Sequence, residues 1–114
     1  MIRELDNVKL PKKQKRALAS FLRRLKKVLN VSEVYLFGSR VSGTPLIDSD
    51  LDMIVVSEEF KKHSFIENMI ILSMLWDGSL SLEMFPYTEE ELKKFYCRKT
   101  IVTEALEKGV GIRL

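Results

Sequence analysis

The apolar run at residues 31–37 stops at Gly38-Ser39-Arg40, and a second apolar run opens with Asp50-Leu51-Asp52-Met53-Ile54-Val55. Ten residues separate Ser39 from Asp50. Each run has the length and the β-branched and aromatic content of a strand, and glycine punctuates the first. A Gly-Ser pair that closes a strand and opens a turn or short helix turns backbone N–H groups toward an anion. In the second run side chains alternate faces, so Asp50 and Asp52 project to the same side. Two carboxylates held that close repel one another unless a cation lies between them. Oxygen-only donors favour magnesium or manganese. A phosphate cradle beside such a cation site is the equipment of nucleotide chemistry.

The rest of the chain must supply a core around these two strands. With 114 residues it is read as one domain, 1–114, with no repeats or Gly/Ser-rich linkers. A hydrophobic content of 46% beside 31% charged residues fits an ordinary globular protein. The apolar stretch at 69–76 is far shorter than the roughly 20 residues of a membrane span, and the charged start lacks the form of a signal peptide. A single cysteine, Cys97, excludes an internal disulfide and, with one histidine, argues against zinc. These features lead us to expect a cytoplasmic protein.

Helical spacing of Leu18, Phe21, Leu22, Leu25, Val28 and Leu29 predicts an amphipathic helix after Pro11. Residues 1–30 carry ten Lys/Arg against two acids, a local +8; the remainder carries nine against fourteen, a local −5. The basic face at 12–27 is read either as a solvated helix face or as a surface for RNA or an acidic partner. A short helix or turn is expected at 39–43, a loop at 43–49, and a helix over 58–76 whose apolar residues at 65–76 run almost all round. Such a helix must be covered on all sides, which predicts burial within the monomer or an oligomer or partner interface. A third strand is expected where Leu80, Leu82 and Met84 alternate with Ser79, Ser81 and Glu83, closed by Pro86. Thr88 with Glu91 has capping-box spacing for the helices that continue to Lys108, and a short terminal strand follows Gly109. If the second and third strands are neighbours, Glu83 joins Asp50 and Asp52 in one acidic cluster; alone it reads as an exposed strand residue.

Taken together, Gly38-Ser39-Arg40, Gly43, Ser49-Asp50-Leu51-Asp52 and Leu82-Glu83-Met84-Phe85-Pro86-Tyr87-Thr88 resemble the DNA polymerase β nucleotidyltransferase superfamily. Similarity is greatest to its smallest branch, the minimal nucleotidyltransferases of HEPN/MNT toxin–antitoxin pairs. The resemblance covers residues 31–114 as a catalytic palm, with 1–30 as a basic N-terminal helix. It implies an α/β (α+β) fold in which a small mixed β-sheet is flanked by helices. It also implies Asp50, Asp52 and Glu83 as catalytic ligands of two magnesium (or manganese) ions, with Gly38, Ser39 and Arg40 binding the phosphates of ATP. The family commonly has aspartate where Glu83 stands, so the carboxylate is kept on a longer arm. Arg40 either reaches a phosphate or pairs with an aspartate; the residues do not separate these.

A chain of this length has no room for an acceptor-presenting domain. The resemblance implies transfer of AMP to a hydroxyl of a HEPN-type ribonuclease toxin, with this chain as the antitoxin. The alternatives are addition of nucleotides to an RNA end such as that of tRNA, and a degenerate palm that only binds and masks its partner. His63 is read as a surface residue, Cys97 as a small helix-facing thiol, Asp48 as part of the loop before the strand, and Phe85 and Tyr87 as packing residues.

Overall fold

In the computed structural model, which describes residues 2–42 and 50–114, four strands form one sheet in the order β3-β2-β1-β4. They are β1 (Glu33–Phe37), β2 (Leu51–Val56), β3 (Leu82–Tyr87) and β4 (Val110–Arg113). β1 pairs antiparallel with β2 and with β4, whereas β2 and β3 run parallel, so the sheet is mixed as expected. The expected loop at 43–49, with Gly43, Asp48 and Ser49, lies outside the described residues.

Two helical layers cover the two faces. α1 (Lys12–Leu29) is built from good helix formers, with Leu18, Leu22 and Leu25 fully buried on one stripe. It ends where Asn30 takes a left-handed conformation at φ 49°, which asparagine tolerates better than most residues, and its N–H bonds the carbonyl of Leu25. On the same side, α3 (Phe65–Leu75) contributes Leu72 to a core with Leu36, Leu51, Met53, Val55 and Met84. The opposite face buries Phe37, Ile54, Val56 and Tyr87 beneath α4 (Glu89–Phe95) and α5 (Thr100–Lys108). Being apolar on both sides, β2 occupies the interior of the sheet, with every residue but Asp52 buried. Pro86 lies inside β3 rather than closing it, opposite Val55, which is possible because β3 is an edge strand and need not donate on its open side.

The helix expected over 58–76 is divided. Ser57 caps a short 3-10 segment, Glu58–Lys62, and Ser64 forms a capping box with Glu67 that restarts the chain as α3. His63 sits exposed at the joint, and two side-chain caps in succession outcompete a single continuous helix. Asn68 is 3% exposed, and its Nδ2 donates to the carbonyls of Phe60 (2.9 Å) and His63 (3.3 Å), fixing the joint to α3. Asn68→Ala should therefore cost about 1–3 kcal/mol in a urea unfolding series, because it strands the buried carbonyl of Phe60 as well as removing volume.

α3 is not covered all round: Ile66, Ile70 and Met74 are 69%, 53% and 79% exposed, so burial within the chain does not account for its composition. The segment before α1 also departs from the sequence reading. Arg3–Asn7 forms a 3-10 turn that buries Leu5, with Val8 beside it in the α1 layer's core. α2 (Ser39–Ser42) is the expected short helix. Cys97 is an exposed residue at φ 64° in the break between α4 and α5, not a helix-facing thiol. No described helix is long and apolar enough to cross a membrane.

Candidate active site

Alternation along β2 turns Leu51, Met53 and Val55 into the α1 layer and Asp52, Ile54 and Val56 toward α4 and α5. The parallel register sets Asp52 directly opposite Glu83, and the antiparallel register sets it opposite Phe37, the residue before Gly38. Three strand ends therefore meet around one carboxylate. The neighbourhood of the second and third strands, on which the reading of Glu83 depended, is present.

Gly38 has φ 104°, a left-handed conformation that side chains rarely adopt, and a Cβ placed there would lie 2.9 Å from Asp52 Oδ2. The missing side chain thus lets the turn close against the carboxylate. The backbone continues from Gly38 into α2, where the N–H of Val41 donates to the carbonyl of Gly38 at 3.0 Å. Ser39, the first residue of α2, is exposed beside this turn. Arg40 donates from Nη1 to the carbonyl of Lys9 at 3.2 Å, while the N–H of Lys9 donates to the carbonyl of Arg40 at 2.9 Å. That exchange ties the chain before α1 to α2.

Asp52 carries the clearest electrostatic signature of the site. Partial burial, then the charges of Glu83, Asp50 and Glu104 and a hydrogen bond with Glu83, push its carboxyl up to about 6 from an ordinary value near 4. Asp50 is exposed immediately before β2 and acts on Asp52 through its charge. Of the three carboxylates expected to converge, Glu83 lies across the strand register from Asp52, and Asp50 bears on Asp52 through its charge, as does Glu104 from α5. Among the described residues no group of three or more His, Cys, Asp or Glu is drawn together closely enough to hold a metal ion. An all-oxygen donor set whose members repel one another is suited to a hard divalent cation, which would replace that repulsion with attraction.

A nucleotidyltransferase domain model matches residues 15–109, most of the chain and the whole sheet except β4. The chain belongs to the nucleotidyltransferase domain family. The resemblance read from Gly38-Ser39 and Asp50-x-Asp52 is upheld at the level of the nucleotidyltransferase family, and so is the fold it implied. A provisionally assigned nucleotidyltransferase from Sulfolobus solfataricus, solved by crystallography at 1.40 Å, shares the fold. The two have a TM-score of 0.57 and 24% identity over 69% of this chain and 70% of that one. No curated protein matches the chain in sequence.

The nucleotidyltransferase also holds a residue that the sequence reading passed over. Glu104 lies on α5 next to buried Ala105, and its charge reaches Asp52 although the two are 52 positions apart. Only the packing of α5 over this face of the sheet brings them near. We expect Glu104→Gln to lower the Asp52 carboxyl toward its ordinary range, read by carbon NMR of the side-chain carboxyl across a pH titration. An unmoved midpoint would show that Glu104 contributes nothing there.

Proposed function

We propose that this nucleotidyltransferase moves AMP from ATP to a hydroxyl of a partner protein, and that it serves as the antitoxin of a HEPN-type ribonuclease toxin. The observation that supports metal-dependent transfer is the crowding of Asp52 by Glu83, Asp50 and Glu104, which a cation would relieve, while the protein acceptor and the antitoxin role follow from the resemblance to the minimal nucleotidyltransferases. Asp50, Asp52 and Glu83 would hold magnesium, or manganese, and the bound ions would neutralise the triphosphate and orient it. Gly38 and Ser39 would face the outer phosphates, and Arg40 would supply guanidinium N–H groups toward the same end. The acceptor oxygen forms a bond to the α-phosphorus, the bond to the β-phosphate oxygen breaks, and pyrophosphate leaves. The hydroxyl proton would leave to solvent, the acceptor oxygen being made more acidic by the cation that Asp52 and Glu83 would hold. Alignment and charge neutralisation would supply most of the acceleration, since no covalent intermediate is needed.

The exposed bases of α1 favour a second reading, transfer to an RNA end. Labelled ATP with magnesium, offered with a HEPN-type protein and separately with tRNA, decides between them. Label on protein, lost in Asp50→Ala/Asp52→Ala, is the expected result. Label on tRNA supports the second reading, and stable binding to the HEPN protein without transfer would reduce the chain to a masking protein.

A further inference from the structure

We propose that α1 and α3 together form one docking surface for an acidic amphipathic helix of a partner protein. This proposal rests on the partner-protein reading above and specifies which surface and which chemistry the partner uses.

α1 and α3 pack side by side on the same face of the sheet, so their outward sides look the same way. Phe21 and Trp76 meet with ring centroids 5.0 Å apart, and Arg24 donates from Nη1 to the carbonyl of Leu75 at 2.6 Å. The outward side of α3 is the four-residue-spaced ridge Ile66, Ile70 and Met74, and Val28, 54% exposed, adds an apolar side chain on α1. α3 contains a single charged residue, Glu67, which is engaged in the capping box. A ridge of exposed apolar side chains in the 4-spacing is the pattern that receives a second helix.

The neighbouring outward face of α1 sets the sign of that helix. Arg16, Arg23 and Lys27 are exposed along it, and α1 contains no acidic residue at all. Among the described residues no base of α1 forms an ion pair; the three ion pairs present lie on the segment before α3 and on α4. A second copy of this chain would bring the same unneutralised bases against this row, which disfavours self-association. An RNA backbone would satisfy the bases but leave Ile66, Ile70 and Met74 in water. A helix with an apolar stripe and an acidic flank satisfies both.

The surface is separate from the carboxylates, which face α4 and α5 on the other side of the sheet, yet it extends to the same end of the molecule. Gln14, in the first turn of α1, donates to the carbonyl of Ser79 at 3.4 Å, and the N–H of Leu51 donates to the carbonyl of Ser81 at 3.0 Å. A partner seated along α1 therefore reaches the head of β2, where Asp50 and Asp52 stand.

The test uses the full chain and a fluorescent synthetic helix of about 20 residues, roughly 30 Å long, with leucines in the 3–4 spacing and glutamates beside them. The controls are the same helix with lysines for glutamates, a polyglutamate peptide, and a single-stranded RNA of equal charge. We expect the acidic amphipathic helix to bind at least about tenfold more tightly than each control, and each of Ile70→Asp/Met74→Asp and Arg23→Glu/Lys27→Glu to remove that advantage. Each substitution is at an exposed position, and circular dichroism confirms that the variants are folded. Tighter binding of the RNA, equal binding of the lysine helix, or a wild-type dimer in sedimentation that Ile70→Asp/Met74→Asp dissolves would overturn the proposal. Asp52→Asn should leave peptide binding unchanged. Loss of transfer with binding intact, or binding with no transfer in the wild type, therefore separates failure of the catalytic reading from failure of this one.

Discussion

Asp52→Asn should abolish most nucleotidyl transfer while making the metal-free protein more stable. Transfer is expected to fall by roughly 100- to 1,000-fold or more, the scale on which loss of one electrostatic group at a reacting centre is felt. The stability change follows from the same carboxylate. Its folded-state value of about 6 lies above the ordinary value near 4, so the folded chain holds the proton that the unfolded chain has released between those limits. Stability of the wild type should accordingly decline as pH rises from about 4 to about 6, and the full penalty persists above that. Asparagine cannot ionise, so in the variant this decline disappears and the melting temperature at pH 7.5 rises without metal. Magnesium should raise the wild-type melting temperature and leave that of the variant nearly unchanged. A variant that melts below the wild type at pH 7.5 would show that Asp52 is not under the repulsion assigned to it.

Gly38→Val should cost about 1–3 kcal/mol, the scale of a non-glycine residue held in a sparsely populated backbone region. Valine is stiff at its branched carbon, and its Cβ would enter the space 2.9 Å from Asp52 Oδ2. Either the turn rotates out of its left-handed φ of 104° or the carboxylate is displaced, and both undo the meeting of turn and strand. Transfer should fall at least as far as in Asp52→Asn. Urea unfolding of Gly38→Ala, Asp52→Ala and the double variant resolves the cost. With the carboxylate gone the clash vanishes, so the alanine penalty should shrink in the Asp52→Ala background. Full additivity of the two penalties would assign the strain to the backbone alone.

Which parts of this molecule could be read from the residues follows from the range of the forces involved. The alternation of Leu51, Met53 and Val55 with Asp52 reports a strand and its two faces because side-chain direction in a strand is local. The cap at Thr88 is equally local, a hydroxyl accepting a bond from the backbone three residues on. A helix read over 58–76 was divided because Ser57 and Ser64 each satisfied a new helix start, a competition that apolar periodicity does not record. Leu5 and Val8 carry no local period that marks them as core; only the packing beneath α1 shows that they are buried.

Sequence alone settled that a glycine turn and an Asp-x-Asp pair sit at the ends of two strands, because backbone freedom and side-chain alternation act over a few residues. Three-dimensional packing alone decided that Glu83 lies opposite Asp52, that Glu104 bears on it from a distant helix, and that Ile66, Ile70 and Met74 stay in solvent. Charge repulsion and burial depend on distance through space, and that distance is set by strand order and layer packing.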